Sequence, residues 1–278
     1  MSSLPRIPHR IAFLAAVQFL TRVPVARFMN DTEFDFREAL KASLLFFPLV
    51  GVFIGLVTTS VYLVGCVGWS TWIAALIAVG VEAWLTGAFH EDAFADATDA
   101  LGGGWTREQV LEILKDSRHG TYGVLALVLG VSLRVALISQ CDWINAWLMI
   151  PFSAGLGRWS ILALMIRLEP ILDRHTLVRD IGAKPSLRTV LAGLAAPLIA
   201  YGALCLVFLR MGADQTAAAW LVPSGVAMLV SLVGALLVTF LYGNLIERRV
   251  GGVTGDFLGS NCYLVQLSTL LIMTFSIH

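Results

Sequence analysis

The chain has 278 residues, of which 58% are hydrophobic and 14% charged, and its 19 basic and 19 acidic residues give a formal net charge of zero. A mean hydropathy of +0.81 is too high for a soluble globular domain, and the balanced charge excludes bulk attraction to nucleic acid. The composition therefore defines an all-α, polytopic integral membrane protein. No repeat, linker or low-complexity segment divides it, so residues 1–278 are read as one membrane domain.

In chain order, residues 1–10 form a polar leader carrying Arg6 and Arg10. The apolar run Ile11 to Leu20 is interrupted by Arg22 and Pro24 before it could cross about 30 Å of hydrocarbon, which predicts an interfacial or re-entrant helix. It runs into Thr21-Arg22 rather than a small-residue cleavage site, so no cleavable signal peptide is expected. After a charged loop at 27–41, seven segments are long enough to span: about 42–66, 72–89, 120–139, 144–166, 188–209, 218–242 and 257–276. Their Gly and Pro residues are tolerated where neighbouring helices satisfy the freed backbone groups.

Lys and Arg number three at 27–41, three at 90–118, five at 167–188 and two at 243–256, against none at 67–71, none at 140–143 and one at 210–217. The positive-inside rule places the four basic loops in the cytoplasm and the C-terminus outside. Of the four cysteines, Cys66, Cys141, Cys205 and Cys262, none has metal-binding spacing, and they are read as small apolar fillers. Cys66 and Cys141 share the outer side and could meet there. Arg134, near the outer end of its helix, is expected to snorkel. Arg158 lies inside its span, where an ionisable group suggests function, and Glu82 in the second span is its candidate partner.

One stretch concentrates acid in this apolar chain. His90 to Gly104 reads HEDAFADATDALGGG, and on a helix Asp92, Asp96 and Asp99 fall within roughly 60° of one another. They form either a solvated acidic face or a site for a hard cation, Mg²⁺ or Mn²⁺. His90, about 200° from Asp92 on a regular helix, points away from that stripe. It could be a metal ligand, a general base or an interfacial hydrogen-bonding residue. Gly102, Gly103 and Gly104 end the helix or cradle a phosphate. Asp256 could complete the metal site, or Thr254 and Asp256 could cap the last helix. Arg22 and Arg118 suit phosphate recognition by bidentate forks, or membrane-surface anchoring.

Five motifs carry a family resemblance. Leu85 to Gly104 reads LTGAFHEDAFADATDALGGG, Lys115 to Gly123 reads KDSRHGTYG, and Gly251 to Ser260 reads GGVTGDFLGS. Thr21 to Pro24 reads TRVP, and Val178 to Gly182 reads VRDIG. In this order they resemble the TGGxHLDGLADTADGL, RDSRxGTxG, GGxTGDxLGA, TRxP and ARxxGLG patterns of the cobalamin synthase family, the adenosylcobinamide-GDP ribazoletransferases. The resemblance covers the chain from end to end.

The resemblance implies a bacterial cytoplasmic (inner) membrane enzyme of the last steps of vitamin B12 synthesis. It implies transfer of adenosylcobinamide phosphate from adenosylcobinamide-GDP to α-ribazole or its 5′-phosphate, with release of GMP. The catalytic residues would be His90, Asp92, Asp96, Asp99 and Arg118. Arg22, Asp116, Ser117, Thr121, Arg158, Arg179 and Thr254 would bind substrate, and Asp92, Asp96, Asp99 and Asp256 would hold Mg²⁺, with Mn²⁺ as the substitute. Further expected partners are the lipid bilayer, neighbouring pathway enzymes and a second copy of the chain.

The chain departs from the family pattern at several points: Glu91 and Ala93 replace Leu and Gly, Gly157-Arg158 replaces Ser-Arg, and Tyr263 and Gln266 stand where acids often follow the last motif. Two rival classes are a CDP-alcohol phosphotransferase, whose Asp-Gly and Ala-Arg signature is absent, and a corrinoid or nucleotide transporter, which would show inverted repeats and broken helices.

Overall fold

The computed structural model describes residues 7–29, 34–116, 118–171, 184–211 and 215–275, with backbone alone for 215–224. The chain begins with α1 (His9–Leu20), whose 12 residues reach about 18 Å and cannot span, as its sequence predicts. At its end Thr21 Oγ1 donates to Val17 O at 2.7 Å, closing the last turn. α2 (Phe36–Ser43) is capped by the Asp35 carboxylate, which accepts from Arg37 N–H. It continues through a 3-10 turn into α3 (Phe47–Gly65), so that Phe36–Gly65 forms one long apolar unit.

α4 (Thr71–Thr86) and α5 (Phe89–Gly103) follow, then the short α6 (Arg107–Ile113), closed by a capping box between Thr106 and Gln109. The remaining spans are α7 (Thr121–Ser139), α8 (Trp143–Arg167), α9 (Leu187–Met211), α10 (Gln215–Val250) and α11 (Gly255–Phe275). The protein is a multi-pass, all-helical bundle; an isolated bridge between Pro170 and Val253 is the extended pairing among the described residues.

α8 is the hub. Of its apolar window 89% is buried, against 22% for that of α10, so α10 is a lipid-facing rim helix. α8 packs on α3, α9 and α11, and α5 lies against α7 and α11. Gly51 and Gly55 let α3 touch α8 backbone to backbone, since a Cβ at either would come within 2.5 Å of Ala154 O or Pro151 Cα.

The sequence predicts an unbroken second span over 72–89, and here the structure differs. α4 stops at Thr86, and α5 leaves at 89° to it. Gly87 (φ 75°) and Ala88 (φ 56°) both adopt the left-handed conformation, which a right-handed helix cannot continue through. The backbone groups freed at the break are satisfied: Ala88 N–H returns to Ala83 O at 2.7 Å, and Arg22 N–H donates to Leu85 O at 2.8 Å. Six helices are long and apolar enough to cross unbroken, and the bent pair makes a seventh if its two halves cross as one span. This break is one feature expected of a transporter; a second such pair is not found among the described residues. The four cysteines are free thiols, so Cys66 and Cys141 do not pair.

Candidate active site on the acidic helix

The acidic stretch forms α5, with its aspartates on one face. Asp92 is exposed, Asp96 half-buried and Asp99 buried. Asp99 Oδ2 accepts the Gly120 N–H at 2.6 Å, tying the start of α7 to the acidic helix. His119, in the turn before α7, closes over the other two carboxylates. Its Nε2 is 3.7 Å from Asp92 Oδ1 and its Nδ1 3.3 Å from Asp96 Oδ1. One ligand atom each from Asp92, Asp96 and His119 lie within 4.8 Å of one another. Asp256, in the first turn of α11, interacts electrostatically with Asp96. Thr254, buried, accepts the Phe257 N–H at 3.4 Å and donates to Asp256 Oδ2, so it caps α11 and holds the Asp256 carboxylate at that helix start.

Beside this cluster lies an open cleft of about 550 Å³, lined by Asp99, Gly103, Asp116, Arg118, His119 and Thr121 among others. Arg118 and Asp116 form a fork: Nε to Oδ1 at 3.0 Å and Nη2 to Oδ2 at 2.6 Å. These hydrogen bonds hold the Asp116 carboxyl down to about 2, so the exposed pair stays charged. α5 ends at Gly103, with Gly104 at its C-cap. Arg249 at the end of α10 donates to the Leu101 and Gly104 carbonyls there, meeting the negative end of the helix dipole.

Other predicted site residues stand apart. His90 is buried beside Phe89 and Gly259, away from the carboxylates of the stripe. The Arg22 guanidinium lies over Gly87 at the helix break. Arg158 is 1% exposed and contacts Gln266 Oε1 at 3.1 Å, Ala154 O at 3.3 Å and Glu82 at 3.8 Å, so Glu82 is a partner, though a long one. Ser117 and Arg179 lie outside the described residues.

Arg134 corrects the expectation of snorkelling. It is 1% exposed, with Nη2 2.6 Å from Glu82 Oε2 and Nη1 3.1 Å from Glu91 Oε1. Two buried carboxylates hold it inward more strongly than the nearby surface attracts it. His119 and Glu91 are the residues that sequence reasoning passed over as participants. His119 carried a signal, since it sits inside KDSRHGTYG between Arg118 and Gly120.

Fold and site together define a multi-pass membrane protein with an acidic, cation-suited cluster beside a polar cleft. Residues 12–274 match the family model described as cobalamin-5-phosphate synthase. Two relatives named adenosylcobinamide-GDP ribazoletransferase, from Leptothrix cholodnii and Polaromonas sp., are 34% and 31% identical, covering 93% and 95% of this chain and 93% and 96% of the relatives. One of the same name from Rhizobium etli is 34% identical over 92% of this chain and 93% of its own. No solved structure matches the chain. The chain belongs to the cobalamin-5-phosphate synthase family, and it is an enzyme of the transferase class.

Proposed function

We propose that the chain is an adenosylcobinamide-GDP ribazoletransferase of the cytoplasmic membrane, with its site facing the cytoplasm. A hydroxyl of α-ribazole, or of its 5′-phosphate, attacks the cobinamide-side phosphorus of adenosylcobinamide-GDP. The phosphoanhydride P–O bond breaks, GMP leaves with the bonding electrons, and adenosylcobalamin or its 5′-phosphate forms. The observation that carries this reading is the meeting of Asp92 and Asp96 with His119, from two separate motifs, beside a cleft bearing Arg118.

Two carboxylates and an imidazole at these separations fit a divalent cation, Mg²⁺ or Mn²⁺, and the imidazole is better tolerated by Mn²⁺. Bound there, the ion would neutralise charge on the diphosphate and the departing GMP. Arg118 can exchange its fork on Asp116 for one on phosphate oxygens, and Thr121, the first residue of α7, lines the same cleft, where a helix N-terminus favours an anion. Asp99 holds that helix start in place through Gly120. A carboxylate of the stripe takes the proton of the attacking hydroxyl. The cytoplasmic orientation rests on the four basic loops.

The test is GMP release by purified protein given adenosylcobinamide-GDP and α-ribazole, with and without Mg²⁺, for wild type and Asp96→Asn. Metal-dependent release in the wild type, lost in the variant, is expected. A folded wild type that releases no GMP would sink the assignment.

A further inference from the structure

Among the described residues outside the acidic stripe, four Glu and Arg side chains are buried inside the bundle, besides His90: Glu82 on α4, Glu91 on α5, Arg134 on α7 and Arg158 on α8. Two negative and two positive groups balance. Buried charges persist in a membrane protein only when paired, and here Arg134 provides the pairing in a particular way. Its Nη2 holds Glu82, before the break at Gly87 and Ala88, and its Nη1 holds Glu91, after it. The guanidinium therefore bridges the two halves of the broken span.

α4 lies mainly on α3 and α7 and α5 mainly on α7 and α11, while α4 and α5 touch each other little, so α7, which carries Arg134, is the neighbour that the two halves share. Glu91 immediately precedes Asp92, and a rotation of α5 by one residue would carry the acidic stripe about 100° around the helix. In the pattern this chain resembles, Leu stands at position 91, so a charged tie here occupies the place of an apolar contact. Thr58 Oγ1 donates to Glu82, and the Arg158 guanidinium reaches both Glu82 and Gln266, which anchors the other side of the network in α3, α8 and α11.

We propose that Glu91 is a positioning residue: through its ion pair with Arg134 it fixes the deep end of α5 and so sets where Asp92, Asp96 and Asp99 stand. The turnover arm of its test rests on the transferase reading; the structural arm does not.

The experiment compares wild type, Glu91→Gln, Glu91→Asp and the double variant Glu91→Gln/Arg134→Gln in nanodiscs, by thermal unfolding, amide hydrogen exchange and GMP release. The double variant removes one charge of each sign, and Glu82 with Arg158, 3.8 Å apart, then leaves no net buried charge, so it should fold where the single variant does not. In the double variant, exchange in 89–103 should rise on the order of tenfold while 255–275 stays protected. Its kcat should fall on the order of tenfold with KM for adenosylcobinamide-GDP held, and Glu91→Asp should recover part of both. Unchanged exchange in α5, or equal acceleration in α5 and α11, overturns the proposal. So does a folded double variant with wild-type kcat. If the wild type releases no GMP, the exchange measurement still decides it.

Discussion

His119 Nδ1 lies 3.3 Å from Asp96 Oδ1, so the turn that starts α7 reaches across to the acidic face of α5. A two-helix construction of this kind makes the cluster depend on both segments. Asp96→Asn should cut GMP release by two or more orders of magnitude, about 3 kcal/mol of lost barrier lowering or more. Chelation should abolish turnover reversibly. His119→Asn should weaken Mn²⁺ binding, read by electron paramagnetic resonance titration, by roughly tenfold, and Mg²⁺ binding by less. Equal affinity for Mn²⁺ in wild type and variant would remove His119 from the site.

The fork between Arg118 and Asp116 sits in the open cleft, ready for exchange onto a phosphate. Arg118→Ala should raise KM for adenosylcobinamide-GDP by tenfold or more, and Arg118→Lys should recover only part of it, because an ammonium cannot form the bidentate contact. Asp116, held at about 2 by those hydrogen bonds in the free protein, should contribute no inflection to the pH profile of kcat/KM above about pH 4. The ion pair is present above the ordinary carboxylate pKa and is lost only as pH falls toward 2. A limb near pH 4 that disappears in Asp116→Asn would contradict this.

Gly87 should resist substitution. At φ 75° an alanine pays left-handed strain, and its Cβ would stand 2.6 Å from Arg22 Nε. Gly87→Ala is expected to lower stability by about 1–2 kcal/mol and to displace the Arg22 guanidinium. Thermal unfolding in detergent reads the first effect. An unchanged midpoint would show that the break is not held by this residue.

Removing Arg134 leaves Glu82 and Glu91 buried without their shared partner. Arg134→Met should destabilise the protein by about 3–5 kcal/mol, the range for breaking one side of a buried pair. The same substitution on a snorkelling arginine would cost little, so unfolding measurements separate the two placements.

Much of the fold was legible because hydrophobic length alone sets spans: the segment 120–139 lies over Thr121–Ser139 and 144–166 lies within Trp143–Arg167. The acidic stripe was legible because helical spacing puts Asp92, Asp96 and Asp99 on one face. The break was not, since Leu85 to Phe89 reads as continued apolar helix and nothing local demands left-handed geometry at Ala88. Arg134 and Glu91 gave no sign of each other because their pairing depends on how α5 turns after that break. His119 was visible in its motif, but its partners come from an earlier helix, and only tertiary structure brings an imidazole over two carboxylates.

The short first half of the broken span has a consequence for the surrounding lipid. α4 has 16 residues and reaches about 24 Å, less than a typical hydrocarbon core of about 30 Å. Bilayer thickness therefore bears on its tilt, and α4 leads directly into the helix that carries the aspartates. Turnover in vesicles should vary with acyl-chain length, making membrane thickness a setting on catalytic geometry.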